Sequence, residues 1–288
     1  MMLDFFRQVR DVIPKVNPRD IRASAERSVH VLLNAASEQC AIAMAEFFGA
    51  GGVTPAKRQE QERMIHWVGE DSVPDPVDLE ICEQGLLCRE GAFVFHRHDT
   101  LRTLEEILDQ REELGLPLAR TFLPFRRPVT QRIIQNVSTE NALFALATAL
   151  PNFVPNLPWT VGEWASDTAF LTINQVRMNF LIAAACDRPA GFREQRAEIA
   201  SILSAAFGWR ALAREACGKI PFGGGVIPKA AIAFAGTWVA GTALDRLYRV
   251  GERMTRAERR EAYEAAFVRG REVASGLLAR VKNVRRPA

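Results

Sequence analysis

The hydrophobic pattern of this chain changes near residue 125. Before that point, short apolar stretches typical of buried strands alternate with helical patterns, and after it the strand-like stretches disappear. Proline and glycine divide the second part into five helical patterns, at about 128–150, 159–186, 192–217, 228–250 and 256–282. We therefore expect an α+β, mainly α fold, with a small α/β domain over residues 1–125 and an all-α helical bundle over 128–285.

The first part of the chain alternates strand and helix signals. Ser37 has the position of an N-cap for a helix that runs to Phe48, and a second helical pattern covers Leu101–Leu114. Such alternation predicts a Rossmann-like arrangement. The strand candidates are short: Ser28–Leu33, which is largely apolar, Val77–Cys82 and Ala92–His96.

The turn after the first strand candidate is where a nucleotide-binding domain would hold phosphate. A phosphate loop needs glycines, so that backbone N–H groups can approach the anion, together with a lysine and a hydroxyl. The turn Asn34–Gln39 contains no glycine and no lysine, and Glu38 would repel phosphate. We therefore expect a degenerate domain that binds neither GTP nor ATP. The glycine-rich Phe222–Lys229 segment follows a helical pattern rather than a strand, which favours a hairpin between apolar helices.

Charge is unevenly distributed along the chain. The formal net charge is only +3, which does not by itself indicate a nucleic-acid partner, and we expect none. From Asp245 to the end, however, 12 Arg and Lys residues face 6 acidic ones. This basic end is either a contact for anionic lipid or a solvated helix face.

The five cysteines are odd in number and irregularly spaced, and no secretory signal precedes them. We therefore expect reduced thiols and a cytoplasmic location. Only Cys82, Cys88, His96 and His98 suggest metal ligation, with both histidines on one face of a strand. Their spacing matches no common zinc pattern, so we expect no metal and no cofactor.

The segment Val226–Leu244 is apolar enough to approach a membrane span, with Lys229 as its single charge. Small residues at Ala233, Thr237 and Gly241 would allow close helix packing, in lipid or in a soluble bundle. We expect a buried bundle helix or a hairpin that enters one leaflet. In the flanking helices, Pro128 suits a first turn, and Thr255 with Glu258 fits a capping box.

Four polar residues interrupt the apolar 159–186 pattern and fall within one helical stripe: Glu163, Asp167, Asn174 and Arg177. Buried charges must be paired or hydrated, so we expect partners on neighbouring helices. The stripe is either an internal seam that fixes helix register or a surface that faces a polar cavity or a protein partner. It is the candidate binding site of the chain.

The second part of the chain resembles a bacterial helical family, the domain of unknown function 697. The resemblance covers about residues 128–275 and rests on the order of several elements: Ala149–Pro155, Asp167, Leu171–Met178, the Ile220–Val226 turn and Ala235–Thr237. That domain is found in inner-membrane proteins and behind Era-like GTPase domains. The resemblance implies association with the inner membrane, and it places the N-terminal part where relatives carry a GTPase.

Together these features suggest a non-catalytic, membrane-proximal interaction or regulatory protein with a GTPase-like remnant, acting through a protein partner and an anionic membrane surface. Two alternatives remain. One is an enzyme or nucleotide-binding regulator with an unrecognised ligand site between the domains. The other is a soluble helical interaction module.

Overall fold

A computed structural model describes residues 16–49, 53–70, 73–149, 167–204 and 226–284, with the side chains of 167–168 and 281–284 excepted. The chain divides into two compact units. The first, which we call the α/β unit, consists of Asp20–Gln131 with Ala184–Pro189. The second, the helical unit, includes Arg132–Ala183 and the chain from Ala190 onwards. The described structure is mostly helical, with one small parallel sheet, in agreement with the predicted class.

The α/β unit contains both strands and helices, as the sequence predicts, but no described helix separates the last three strands and the unit contains more elements. In chain order these are α1 (Pro18–Glu26), β1 (Val31–Asn34), α2 (Glu38–Phe48), α3 (Pro55–Glu62), β2 (Ile65–Trp67), β3 (Leu79–Glu83), β4 (Phe93–Phe95), α4 (Thr100–Gln110) and α5 (Gly115–Thr121). A 3-10 turn, Glu112–Leu114, precedes α5.

The four strands form one parallel sheet in the order β2-β1-β3-β4. Val31 pairs with Ile65 on one side and with Leu79 on the other, and Ile81 pairs with Phe93. The two central strands, β1 and β3, are buried along most of their length, as expected for parallel strands covered on both faces.

Phenylalanine side chains build the core beside the sheet. Phe48, at the end of α2, packs edge-to-face on Phe122 at a centroid distance of 5.2 Å. Its neighbour Phe47 contacts Phe95 of β4 at 5.6 Å. Edge-to-face aromatic pairs add stabilisation beyond the area they bury. These contacts fix α2 against the sheet, and with it the turn that follows β1.

A buried lysine ties the segment around Asp187 into the α/β unit. Lys57 is 7% exposed, and its Nζ lies 2.9 Å from Glu60 Oε2 and 3.2 Å from Asp187 Oδ2. Arg120 Nε lies 3.2 Å from the other Asp187 oxygen. Because a buried cation without a partner is strongly unfavourable, this group of charges depends on Asp187.

The helical unit has only helices among its described elements: α6 (Leu123–Ala149, which begins in the α/β unit), α7 (Asp167–Ala185), residues 196–204, α8 (Val226–Val250) and α9 (Arg256–Val284). The prediction for Pro128 is wrong: α6 already begins at Leu123, so this proline lies inside the helix. Of the Phe222–Lys229 segment, for which a hairpin is predicted, residues 222–225 lie outside the described residues and the rest forms the start of α8.

Two glycines allow close helix contacts in this unit. A Cβ at Gly270 of α9 would lie 2.9 Å from the Ala231 carbonyl oxygen of α8. One at Gly241 of α8 would lie 2.7 Å from Ile134 Cγ1 of α6. The capping box at the start of α9 is confirmed, since Glu258 accepts from Thr255 N–H at 2.7 Å and donates its own N–H to the Thr255 hydroxyl at 3.2 Å.

Candidate functional site

Polar side chains are grouped in two regions of the described structure. The first region lies at the carboxyl end of the parallel sheet. Here β1 ends at Asn34 and β3 ends at Glu83. The chain leaves β1 towards β2 on one side, whereas β3 lies on the other side. Ligands of open parallel sheets bind outside the strand ends at such a reversal of strand order. A nucleotide bound to this unit would therefore be expected at this edge of the sheet.

The carboxylate of Glu83 occupies the N-terminal end of α2. Its Oε2 accepts hydrogen bonds from the backbone N–H of Ala36 at 2.7 Å and of Ser37 at 2.8 Å, and its Oε1 accepts from the Ser37 hydroxyl at 2.5 Å. Ser37 also caps the helix, accepting from Cys40 N–H at 3.2 Å. The hydrogen bonds from Ser37, followed by that from Ala36, lower the pKa of Glu83. The negative charge is therefore stabilised where a helix N-terminus attracts anions.

The cysteine prediction is wrong for one pair. Cys82, the penultimate residue of β3, forms a disulfide with Cys88, while Cys40 and Cys186 are buried and lie outside this pair. The chain turns back after β3 at Gly85, whose φ of +94° suits glycine, and this brings Cys88 to the strand. Spacing along the sequence cannot reveal a pairing that depends on the path of this turn.

The two histidines do not join the cysteines. Strand β4 ends at Phe95, so His96 and His98 lie beyond it and do not share a strand face as predicted. His96 Nε2 lies 3.3 Å from Glu106 Oε2, and His98 is exposed. The pKa of Glu106 is lowered, first by its hydrogen bond from Arg102 and also by His96.

The second polar region lies in the helical unit, where the sequence predicts the stripe Glu163, Asp167, Asn174 and Arg177. Glu163 lies outside the described residues, and Asp167 is the first residue of α7 with a side chain that is not described. The other two both meet α6. Asn174 Nδ2 donates to Asn141 Oδ1 at 2.9 Å, and Arg177 Nη1 lies 3.6 Å from Glu140 Oε2.

Asn141 is the centre of a hydrogen-bonded group that links three helices. Its Nδ2 donates to Thr237 Oγ1 of α8 at 2.8 Å, and Gln175 of α7 donates to the same oxygen at 3.2 Å. Thr237 in turn donates to the Ala233 carbonyl at 2.9 Å. Asn141 and Thr237 are fully buried. We call Asn141, Asn174, Gln175 and Thr237 the polar cluster; it sets the relative register of α6, α7 and α8.

The sequence prediction missed Asn141, Gln175 and Thr237. The available signal was an amide or hydroxyl side chain within a strongly apolar helix, because such a group is buried only with a partner. The sequence pattern instead indicates a small packing residue at Thr237. Arg177 keeps an exposed side chain, at 47%, so its pair with Glu140 is partly solvated. Burial raises the pKa of Glu140 and the Arg177 charge opposes that effect.

A pocket of about 200 Å³ lies beside the polar cluster within the helical unit. Its wall is mainly apolar, from Val239, Leu244 and Met254, and Gln175 reaches it from the polar cluster. Two cationic side chains, Arg253 and Arg259, and the acid Glu198 also line it. A pocket of this kind accepts an apolar group whose polar end remains near the arginines.

Comparisons of the chain with protein-family models, curated proteins and solved structures find no match. The function is therefore inferred from the side chains and their contacts alone. At the sheet edge, the Glu83 and Ser37 groups that could bind a ligand bind each other. In the helical unit, the amide side chains of the polar cluster form hydrogen bonds between helices. The pocket beside them has room for a ligand.

Proposed function

We propose that this protein is a non-catalytic interaction or regulatory protein that works at a membrane surface. Its α/β unit is a Rossmann-like, GTPase-like remnant without a phosphate loop, and its helical unit is related to the domain of unknown function 697. The observation that carries this proposal is the position of the Glu83 carboxylate at the N-terminus of α2.

A bound nucleotide would need that position for its phosphate groups. The donors that would face phosphate, the Ala36 and Ser37 amides, already serve the protein's own carboxylate. A phosphate placed there would meet a like charge and would find neither a lysine nor a glycine in the turn. The α/β unit therefore acts as a scaffold and not as a nucleotide switch.

Equilibrium dialysis with labelled GTP and ATP in the presence of Mg²⁺ tests this part. We expect no retained nucleotide at micromolar concentrations, while an Era-like GTPase dialysed in parallel retains it. Micromolar binding by the wild-type protein would refute the remnant and favour a nucleotide-binding regulator.

The membrane part of the proposal rests on α8 and the arginines near its end. Within the described residues, α8 is the one helix long and apolar enough to cross a membrane, and half of its most apolar window is buried in the protein. Partial burial favours peripheral contact over spanning. Arg253 and Arg259, beside the apolar pocket, suit an anionic lipid surface.

Sedimentation with phosphatidylglycerol vesicles and with phosphatidylcholine vesicles tests the membrane contact. We expect binding to the anionic vesicles that falls with salt. Arg253→Glu should weaken it several-fold or more, since each cationic residue near an anionic surface contributes about 1 kcal/mol. Arg58→Glu, at an exposed position of α3, serves as the matched control.

The burial of α8 also favours a second candidate, a soluble helical interaction module. Helices in the cores of soluble proteins pass the same test of length and hydropathy. Cell fractionation separates the two functions. Recovery of the full-length protein in the high-speed supernatant at low salt, without detergent, would support the soluble module and contradict the membrane role.

A further inference from the structure

The disulfide of β3 lies beside a third potential metal ligand. Glu80 and Cys82 are two positions apart in β3, so both side chains project from the same face of the sheet. Cys88 returns to that face from the following turn. The ligand atoms of Glu80, Cys82 and Cys88 all lie within 4.8 Å of one another, the one such group among the described residues.

The Glu80 carboxylate has few stabilising contacts when Cys82 and Cys88 form the disulfide. Glu80 is 9% exposed, and its Oε1 lies 3.6 Å from Cys82 Sγ. In the disulfide this sulfur carries no hydrogen, so it cannot donate to the carboxylate. The ion pair of this carboxylate is with Arg89, whose Nε lies 3.7 Å from Oε2 on a side chain that is 74% exposed. A buried carboxylate is stabilised by close donors or a cation, and this surrounding offers little of either.

We propose that Glu80, Cys82 and Cys88 form a Zn²⁺ site when the disulfide is reduced. Two thiolates and a carboxylate are ligands that Zn²⁺ accepts, and water would complete a tetrahedral set. This group does not match the usual zinc-binding sequence motifs, because the third ligand, Glu80 on β3, precedes the two cysteines. This site goes beyond the proposed membrane function and does not depend on it.

A phosphine reduces the Cys82–Cys88 disulfide in a reaction that consumes one water molecule. The disulfide, the phosphine and one water molecule give two thiols and the phosphine oxide, so the two electrons come from phosphorus. Zn²⁺ then replaces the two thiol protons, which pass to solvent. The ion brings two positive charges to three negative ligands, and the remaining negative charge faces Arg89.

Zinc titration of the full chain, before and after reduction with a phosphine that is then removed under nitrogen, tests the site. We expect one Zn²⁺ per reduced chain and none for the oxidised chain. Co²⁺ serves as a second probe, because its absorption contains a thiolate charge-transfer band when cysteine sulfur is bound. That band should appear only after reduction.

Variants assign the ligands. Cys82→Ser and Cys88→Ser should each abolish the cobalt band, and Glu80→Gln should weaken Zn²⁺ binding about tenfold or more. Glu90→Gln changes an exposed acid two residues after Cys88 and should bind as the wild type does. The proposal is overturned if the reduced wild type binds no more Zn²⁺ than the oxidised chain, a comparison that needs no variant to fold. It is equally overturned if the cysteine variants keep the band.

Discussion

Ser37 binds the Glu83 carboxylate with both its backbone N–H and its hydroxyl, at 2.8 and 2.5 Å. The same hydroxyl caps α2. One serine thus connects the helix that follows β1 to the end of the neighbouring strand β3. In a nucleotide-binding domain, a phosphate would make the equivalent link between the helix N-terminus and the sheet edge.

Replacement of Ser37 should therefore lower the stability of the α/β unit. For Ser37→Ala we expect a loss of about 1 kcal/mol, the usual effect of removing an N-cap, together with a smaller loss for Glu83→Gln, which keeps an acceptor oxygen. Urea denaturation followed by circular dichroism measures both. Ser24→Ala, at an exposed position inside α1, should leave the midpoint unchanged or raise it slightly. A Ser37→Ala protein as stable as the wild type would contradict the bridging role.

The capping box of α9 should make stability depend on acid pH. Hydrogen bonds from Arg246 and then from Thr255 lower the pKa of Glu258 from 4.5 to about 2. Because the folded state holds the carboxylate ionised, this stabilisation is present above pH 4.5 and is lost as the pH falls towards 2. The difference in denaturation midpoint between the wild type and Glu258→Gln should shrink over that window. For Glu261→Gln, an exposed acid of the same helix, the difference should be small throughout.

The polar cluster predicts a large effect for a substitution that removes no charge. Asn141→Ala should destabilise the helical unit by about 2 kcal/mol or more, because Asn174 would lose its acceptor and Thr237 one of its two donors in a buried environment. Asn136→Ala, on the exposed side of the same helix, should cost less than about 0.5 kcal/mol. Equal effects of the two substitutions in chemical denaturation would show that the cluster has no structural role.

Two glycines of α9 should respond in opposite directions to the same substitution. Gly270→Ala places a Cβ 2.9 Å from the Ala231 carbonyl oxygen, and since that atom belongs to the backbone it cannot move aside easily. We expect a loss of about 1–3 kcal/mol. Gly276→Ala meets nothing within 4 Å and should instead stabilise the helix by about 0.5–1 kcal/mol. Thermal unfolding of both variants checks the sign.

The sequence predicts the strands best where they are buried on both faces. Strands β1 and β3 lie close to their predicted places, which are marked by apolar residues such as Val31, Leu33 and Ile81. By contrast, β2 has only three residues, Ile65–Trp67, after a strongly polar helix. Such a short strand is defined by pairing with β1, and that pairing cannot be seen in a local pattern. The long helices were predicted because their apolar spacing continues over many turns.

Residue partners were harder to predict than elements. The stripe on α7 correctly predicts contacts with a neighbouring helix for Asn174 and Arg177. It does not indicate that their partners are the adjacent residues Asn141 and Glu140. The disulfide was missed for a similar reason, since a turn of the backbone at Gly85 decides it. Side chains meet through tertiary packing, and a single sequence records only one side of each contact.

The ion pairs of Lys57 have a consequence for synthesis on the ribosome. All four strands emerge before α6, so the sheet is available early, and N-terminal domains generally fold first. Asp187, however, is translated much later than Lys57 and Arg120, the two cations that it joins. Until then Glu60 is the one acidic partner of the buried lysine among the residues that the structure describes. We therefore expect a nascent chain that stops after α6 to remain sensitive to protease around α3, and protection to begin once Asp187 leaves the exit tunnel.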